Sequence, residues 1–104
     1  MIKLKADNED IVTGLLFNDL GIEWEILTDG EPVSLEGQDV TVYAVSGRIR
    51  KQMPIVVENN IITFVYAGKD QQRDGVFSLE LWINEGGVPQ QMAVAKDAFQ
   101  LITE

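Results

Sequence analysis

The chain has 104 residues, of which 45% are hydrophobic and 24% are charged, and its net charge is −9. This length fits one domain with a hydrophobic core of its own, and we predict a single domain over residues 1–104. The sequence contains neither cysteine nor histidine. Their absence excludes disulfides, the usual zinc sites, and Ser-His-Asp or Cys-His catalytic systems.

The acidic charge is concentrated near the start of the chain. Residues 1–39 carry a net charge of −8, and residues 40–104 carry −1. Because phosphate backbones and anionic lipids repel such a chain, we expect it to bind neither nucleic acid nor membranes. Solubility is the ordinary explanation of this acidity, and docking onto a basic partner is the alternative. No segment resembles a signal peptide or reaches the roughly 20 apolar residues of a transmembrane helix.

The first twenty residues hold two weakly apolar segments. Residues 1–5 alternate weakly, residues 6–10 form a polar connector, and the apolar segment 11–17 is interrupted by Gly14. A glycine within a strand often marks a bulge, and segment 11–17 is interpreted as a short or bulged strand. We therefore predict either an N-terminal extension or an extra strand within residues 1–20.

The rest of the chain shows the period-two hydrophobicity of antiparallel strands with one buried face. Turn residues separate the alternating runs: Asp29-Gly30 and Asn59-Asn60 favour tight turns, and Gly86-Gly87 predicts another hairpin. Residues 46–52 are interpreted as a loop or an exposed strand end, and residues 68–75 as a polar connector with room for one helical turn. Strands are predicted at residues 21–28, 40–45, 54–57, 61–67, 76–83, 88–96 and 99–102. Seven to eight short strands at this spacing predict an all-β, immunoglobulin-like antiparallel sandwich.

Carboxylates are the only remaining candidates for catalysis or metal binding. Glu23 and Glu25 lie about 7 Å apart on one strand face, a separation that glycoside hydrolysis allows. Such pairs are also the ordinary solvent face of a strand, so we predict no catalytic residue and no enzyme. The acidic runs at residues 7–10 and 29–31 lack the spacing of a calcium-binding EF-hand loop. We accordingly predict no metal site and no cofactor.

Aromatic side chains divide between the two predicted faces. Trp24 and Phe77 share parity with aliphatic neighbours, so both are predicted to lie in the core. Trp82 and Tyr43 have the opposite parity and are predicted, with Leu27, to point away from it. Exposed Trp and Tyr anchor protein interfaces and also stack on sugars. A second candidate is the basic cluster of Arg48, Arg50 and Lys51, which suits an anionic partner or the acidic third of a neighbouring copy.

Two stretches carry a resemblance to a known family. Residues 22–42 read IEWEILTDGEPVSLEGQDVTV, in which an alternating strand precedes Asp-Gly-x-Pro-Val-x-Leu-x-Gly and a second alternating strand. Residues 74–81 read DGVFSLEL. Both stretches, in this order, resemble the immunoglobulin-like N-terminal domain of phage baseplate upper proteins and related tail-fibre modules.

The resemblance implies a structural role. It suggests a non-catalytic module whose partners are other tail or baseplate subunits, with a homo-oligomer among its forms. Such a protein would be found in the virion or in the host cytoplasm, and a prophage copy would look the same. The contact residues would be Trp82, Tyr43, Leu27, Arg48, Arg50 and Lys51. The alternative is a bacterial β-sandwich module that binds carbohydrate or another surface ligand, for which Trp82 is the support.

Overall fold

A computed structural model describes residues 11–103 of the chain and the backbone of residues 2–5. Within them the chain forms strands and one short 3₁₀ turn at Gly68–Asp70. The strands are β1 (Ile2–Lys5), β2 (Val12–Leu15), β3 (Leu20–Glu25), β4 (Leu27–Thr28), β5 (Glu31–Pro32), β6 (Val40–Ser46), β7 (Ile49–Gln52), β8 (Ile55–Glu58), β9 (Ile61–Tyr66), β10 (Gly75–Glu85) and β11 (Val88–Ile102). No helix of the described residues is long and apolar enough to cross a membrane.

Two sheets make up the sandwich. One has four strands in the order β1-β3-β9-β8, and the other has five in the order β2-β11-β10-β6-β7, while β4 and β5 form a small separate hairpin. All pairings are antiparallel except β1 with β3 and β2 with β11, which are parallel. The predicted all-β sandwich is confirmed. The first two strands lie in different sheets, each at an outer edge.

Alternation along the strands builds the core. In β3, every second residue from Leu20 is buried, and Trp24 has no exposed surface. In β10, Phe77 begins a matching buried series. Tyr66 lies edge-on to Phe77 and Phe99, with ring centroids 6.0 and 6.1 Å apart, so it joins the two sheets. The predicted core positions of Trp24 and Phe77 are therefore confirmed.

The strand count differs from the prediction because two segments fold in other ways. Residues 21–28 do not form one strand: Ile26 donates its N–H to the Asn60 carbonyl at 2.8 Å and accepts from Val33 at 3.2 Å. The ladder with β9 ends there because β9 begins only at Ile61, after the Asn59–Asn60 turn. The chain then leaves the sheet to form β4 and β5.

The last predicted strands, 88–96 and 99–102, are instead one strand, β11. The prediction left residues 97 and 98 between two strands, whereas the structure continues the ladder through a β-bulge opposite Ser78. Asp97 has a φ of 50°, and its N–H donates to the Ser78 hydroxyl at 3.0 Å. Residues 96–98 lie opposite Ser78 alone, and the ladder continues on both sides of this bulge. Residues 49–52, interpreted as a loop or strand end, form β7, and the 6–10 connector lies outside the described residues.

A corner between the two sheets brings the 3₁₀ turn against the end of β2. The buried Gln71 amide accepts from the Phe17 N–H at 2.6 Å and donates to the Asn18 carbonyl at 2.8 Å. Asp19 in turn accepts from the Gly68 N–H at 2.8 Å. A Cβ added at Gly68 would meet the Phe17 carbonyl oxygen at 2.1 Å, so only glycine permits this approach.

Substitution of Gly68 by alanine should therefore destabilise the fold. We expect Gly68→Ala to lower the free energy of unfolding by roughly 1–3 kcal/mol, because backbone must move to admit the methyl group. Gly14→Ala is the control: its Cβ meets the flexible end of Leu20 at 3.2 Å. The control should stay within ~1 kcal/mol of wild type in urea denaturation. Equal stabilities of the two variants would contradict the close approach at this corner.

Tyr66 makes stability sensitive to alkaline pH. Burial raises the pKa of its hydroxyl above the ordinary value of 10.0, and the charge of Asp70 raises it further. The unfolded chain therefore loses the phenolic proton at a lower pH than the folded chain does. The contribution of Tyr66 to the free energy of unfolding is complete below about pH 10 and falls as the pH rises toward the pKa of the folded state. The free energy of unfolding of Tyr66→Phe should fall less steeply than that of wild type over this range. If the free energies of unfolding of wild type and Tyr66→Phe, measured by denaturation at pH 8 to 11, fall in parallel, the raised pKa of Tyr66 is refuted.

Candidate functional site

The outer face of the five-stranded sheet carries the two outward aromatic residues. In β10, Leu81 is buried and its neighbour Trp82 lies half-buried on the other face. In β6, the half-buried Tyr43 alternates in the same way with buried residues and pairs with Glu80 of β10. Residues paired across antiparallel strands share a face, so Glu80 lies beside both rings. The predicted outward direction of Trp82 and Tyr43 agrees with these positions.

Four side chains form what we call the aromatic–arginine cluster: Tyr43, Arg50, Glu80 and Trp82. The guanidinium carbon of Arg50 lies 3.8 Å from the Tyr43 ring centroid and 5.7 Å from that of Trp82. Its Nε lies 3.6 Å from Oε1 of Glu80. The same carboxylate oxygen accepts the indole N–H of Trp82 at 3.1 Å. Glu80 therefore links the cation to the indole and holds both at one place on the sheet.

A groove of about 380 Å³ opens beside this cluster. Its far end is set by Asp39 and Asn84, whose backbones are joined by an N–H to carbonyl bond of 3.0 Å. The Asn84 amide nitrogen lies 3.5 Å from Oδ2 of Asp39. The lining residues are Asp39, Thr41, Tyr43, Arg50, Trp82, Ile83, Asn84 and Pro89. The groove thus offers aromatic surface at one end and a carboxylate with an amide at the other.

This arrangement suits recognition of another molecule's surface. Stacking on Tyr43 restricts the rotamers of Arg50 before any partner arrives, which reduces the entropy lost on binding. Aromatic and arginine side chains at the centre of a contact supply most of its free energy when water is excluded. Among the described residues, no group of three Asp or Glu side chains converges to hold a metal ion.

The remaining predicted contact residues lie elsewhere. Arg48 is exposed in the turn between β6 and β7. Lys51 pairs with the buried Ala44, so it belongs to the opposite face of the sheet from Arg50. The three basic residues therefore do not form one patch, because strand alternation separates neighbours in sequence. Leu27 is half-buried in β4, in the hairpin beside the four-stranded sheet, and does not line the groove.

Some residues of the aromatic–arginine cluster and of the groove were not among the predicted contact residues. Glu80 precedes Trp82 by two residues and therefore lies on the same face of the strand, so the alternation of the sequence pointed to Glu80. Asp39 and Asn84 are 45 positions apart, and only the pairing of β10 with β6 brings them together. The carboxylates considered for hydrolysis, Glu23 and Glu25, lie half-buried on the outer face of the four-stranded sheet, opposite Thr63 and Ile61.

Removal of the Arg50 side chain should uncover Trp82. In a Trp24→Phe background, where Trp82 is the one remaining tryptophan, Arg50→Ala should increase acrylamide quenching of its fluorescence. The free energy of unfolding should fall by about 0.5–1 kcal/mol, the usual value of an exposed cation–π contact. Arg48→Ala is the matched control, since it removes the same charge from the neighbouring turn. Equal quenching in the two variants would contradict the packing of Arg50 on the cluster.

Comparison with known proteins finds a similar fold. No protein-family model matches the sequence, and no curated protein matches it. Among solved structures, the chain is similar to the N-terminal domain of ORF48 of phage TP901-1, with a TM-score of 0.62 and 20% sequence identity. The alignment covers 99% of this chain and 95% of that chain. The resemblance in fold to phage modules, predicted from residues 22–42 and 74–81, is confirmed.

Proposed function

We propose that the chain is a non-catalytic structural or assembly module of the phage tail type, which works through protein–protein contacts. The observation that carries this proposal is the similarity in fold to a phage protein domain over 99% of the chain. The likeness extends over 95% of that domain, so it includes the whole sandwich and not one motif. The turn motif of residues 29–37 supports the same origin.

The aromatic–arginine cluster is the contact surface in this proposal. Trp82 and Tyr43 are half-buried on an open sheet face, and Arg50 is already held between them. A partner that covers them gains apolar burial at little entropic cost. The partners are other tail or baseplate subunits, and the protein belongs to the virion or to the host cytoplasm during assembly. A catalytic role has little support, since the chain lacks histidine and cysteine.

The proposal is tested on particles from phage-producing host cells that encode the chain. We expect the protein to copurify with tail structures, and Trp82→Ala to lower its recovery at least ~10-fold, because truncation of a central aromatic anchor costs about 2 kcal/mol or more. Val65→Ala is the control, since it trims an exposed side chain on the outer face of the other sheet. Recovery of the wild-type chain only in particle-free fractions would contradict the proposal.

Carbohydrate binding is the second candidate, and the groove is the observation that favours it. A stacking ring at Trp82 beside the carboxylate of Asp39 and the amide of Asn84 offers a sugar both an apolar face and hydroxyl partners. On a glycan array, this candidate requires binding that is lost in Trp82→Ala and reduced in Asn84→Ala. If the wild-type chain binds no glycan on the array, carbohydrate binding is rejected as a candidate function.

A further inference from the structure

The two ends of the groove beside the aromatic–arginine cluster differ in charge. At one end Arg50 is already paired, since its Nε lies 3.6 Å from Oε1 of Glu80. At the other end the carboxylate of Asp39 has an uncharged neighbour, the Asn84 amide nitrogen, 3.5 Å away. Among the described residues, no lysine or arginine lies within ion-pair distance of Asp39. The groove therefore has balanced charge at one end and an unbalanced negative charge at the other.

Strand pairing sets the spacing between the indole and this carboxylate. Trp82 and Asn84 are alternate residues of β10, so they lie on one face about 7 Å apart along the strand. Asp39 lies opposite Asn84, whose N–H donates to its carbonyl at 3.0 Å. Thr41, two residues after Asp39, pairs with Trp82. An aromatic surface is thus followed, two residues further along both strands, by a carboxylate.

A long basic side chain matches this order of groups. Arginine and lysine pack their apolar stems along hydrophobic surface and keep the charged head at its edge. With the stem on Trp82, the head would reach Asp39. The amide nitrogen of Asn84 faces Asp39, so the oxygen of the same amide can accept a further hydrogen bond from the head. Arginine is the better match, because its planar fork donates to a carboxylate and a second acceptor together.

The size of the groove limits what can enter it. Its volume of about 380 Å³ is near the lower end of the roughly 300–1,000 Å³ of small-ligand sites. One side chain of a partner fits such a volume, whereas a whole helix or strand does not. The groove therefore suits a single anchoring residue on a partner's surface.

The charge of the whole chain favours a basic partner. The sequence has 17 acidic and 8 basic residues, and its net charge is −9. Such a field attracts positively charged surfaces and repels negatively charged ones, including a second copy of the same chain. The local chemistry of the groove and the long-range field of the protein thus select the same sign of charge.

We propose that the groove binds an arginine side chain from the basic surface of a partner subunit, with its stem on Trp82 and its guanidinium paired with Asp39. The identity of the partner as a tail or baseplate subunit rests on the function proposed above, whereas the chemistry of the occupant rests on the groove. Arg50 does not oppose this cation strongly, because Glu80 offsets its charge at the opposite end.

Titration with a short peptide, followed by nuclear magnetic resonance, tests the proposal. The probe is acetyl-Gly-Arg-Gly-amide, and the reporters are the indole N–H of Trp82 and the amides of Asn84. These signals should shift saturably, with a dissociation constant on the order of 1–10 mM, as expected for one side chain. The dissociation constant should rise between ~0.02 M and ~0.5 M salt, because salt screens the attraction. The indole of Trp24, fully buried in the core, should not shift.

Two variants with the same net charge separate the site from the general field. Asp39→Asn should raise the dissociation constant at least ~3-fold, because it removes the charge but keeps the side-chain shape and the backbone bond to Asn84. Asp29→Asn is the matched control: Asp29 does not line the groove, and asparagine tolerates its φ of 51°. This control should bind the probe as wild type does.

Three results would overturn the proposal: no shift with the arginine peptide, equal dissociation constants for Asp39→Asn and Asp29→Asn, or equal shifts with acetyl-Gly-Gln-Gly-amide. Tighter binding of acetyl-Gly-Glu-Gly-amide would also overturn it and would identify an acidic occupant held by Arg50. The outcome is separate from that of the particle experiment. Copurification with tails without peptide binding would contradict this inference alone, and peptide binding without copurification would contradict only the proposed role in the tail.

Discussion

Contact between the inner faces of the two sheets is the constraint on which the other features depend. Tyr66 of the four-stranded sheet lies edge-on to the stacked rings of Phe77 and Phe99 of the five-stranded sheet. Trp24 is fully buried among the same core residues. Because a one-residue slip would turn every side chain of a strand to the other face, this burial fixes the register of each strand.

The outer face follows from that register. With Leu81 fixed in the core, Trp82 must lie on the outer side, and the pairing of Glu80 with Tyr43 brings the acid beside both rings. The hairpin between β6 and β7 then carries Arg50 over Tyr43. The aromatic–arginine cluster is therefore a consequence of core packing combined with cross-strand pairing. It uses residues from three strands: β6 and β7, which form one hairpin, and β10, which is distant from them in sequence.

The edges of the sheets have a different origin. Parallel pairing of β1 with β3 and of β2 with β11 places these first two strands in different sheets. As a result an uncharged strand becomes terminal in the five-stranded sheet. The corner of Gly68 and Gln71 then fixes how the chain leaves that strand. One surface is thus built from packed side chains, while the other is an edge strand whose outer side pairs with no described strand.

The sequence alone determined the class of the fold and the direction of its aromatic residues, because period-two alternation is a local property that the core enforces. It identified Trp24 and Phe77 as buried and Trp82 and Tyr43 as outward. It did not separate Arg50 from Lys51, since three adjacent charges appear as one cluster until alternation assigns their faces. Only the tertiary structure decided which residues meet: the approach of Asp39 to Asn84, the continuity of β11 through its bulge, and the terminal position of β2 in the five-stranded sheet. These depend on pairing between distant strands, and no local pattern in the chain encodes which strands become neighbours.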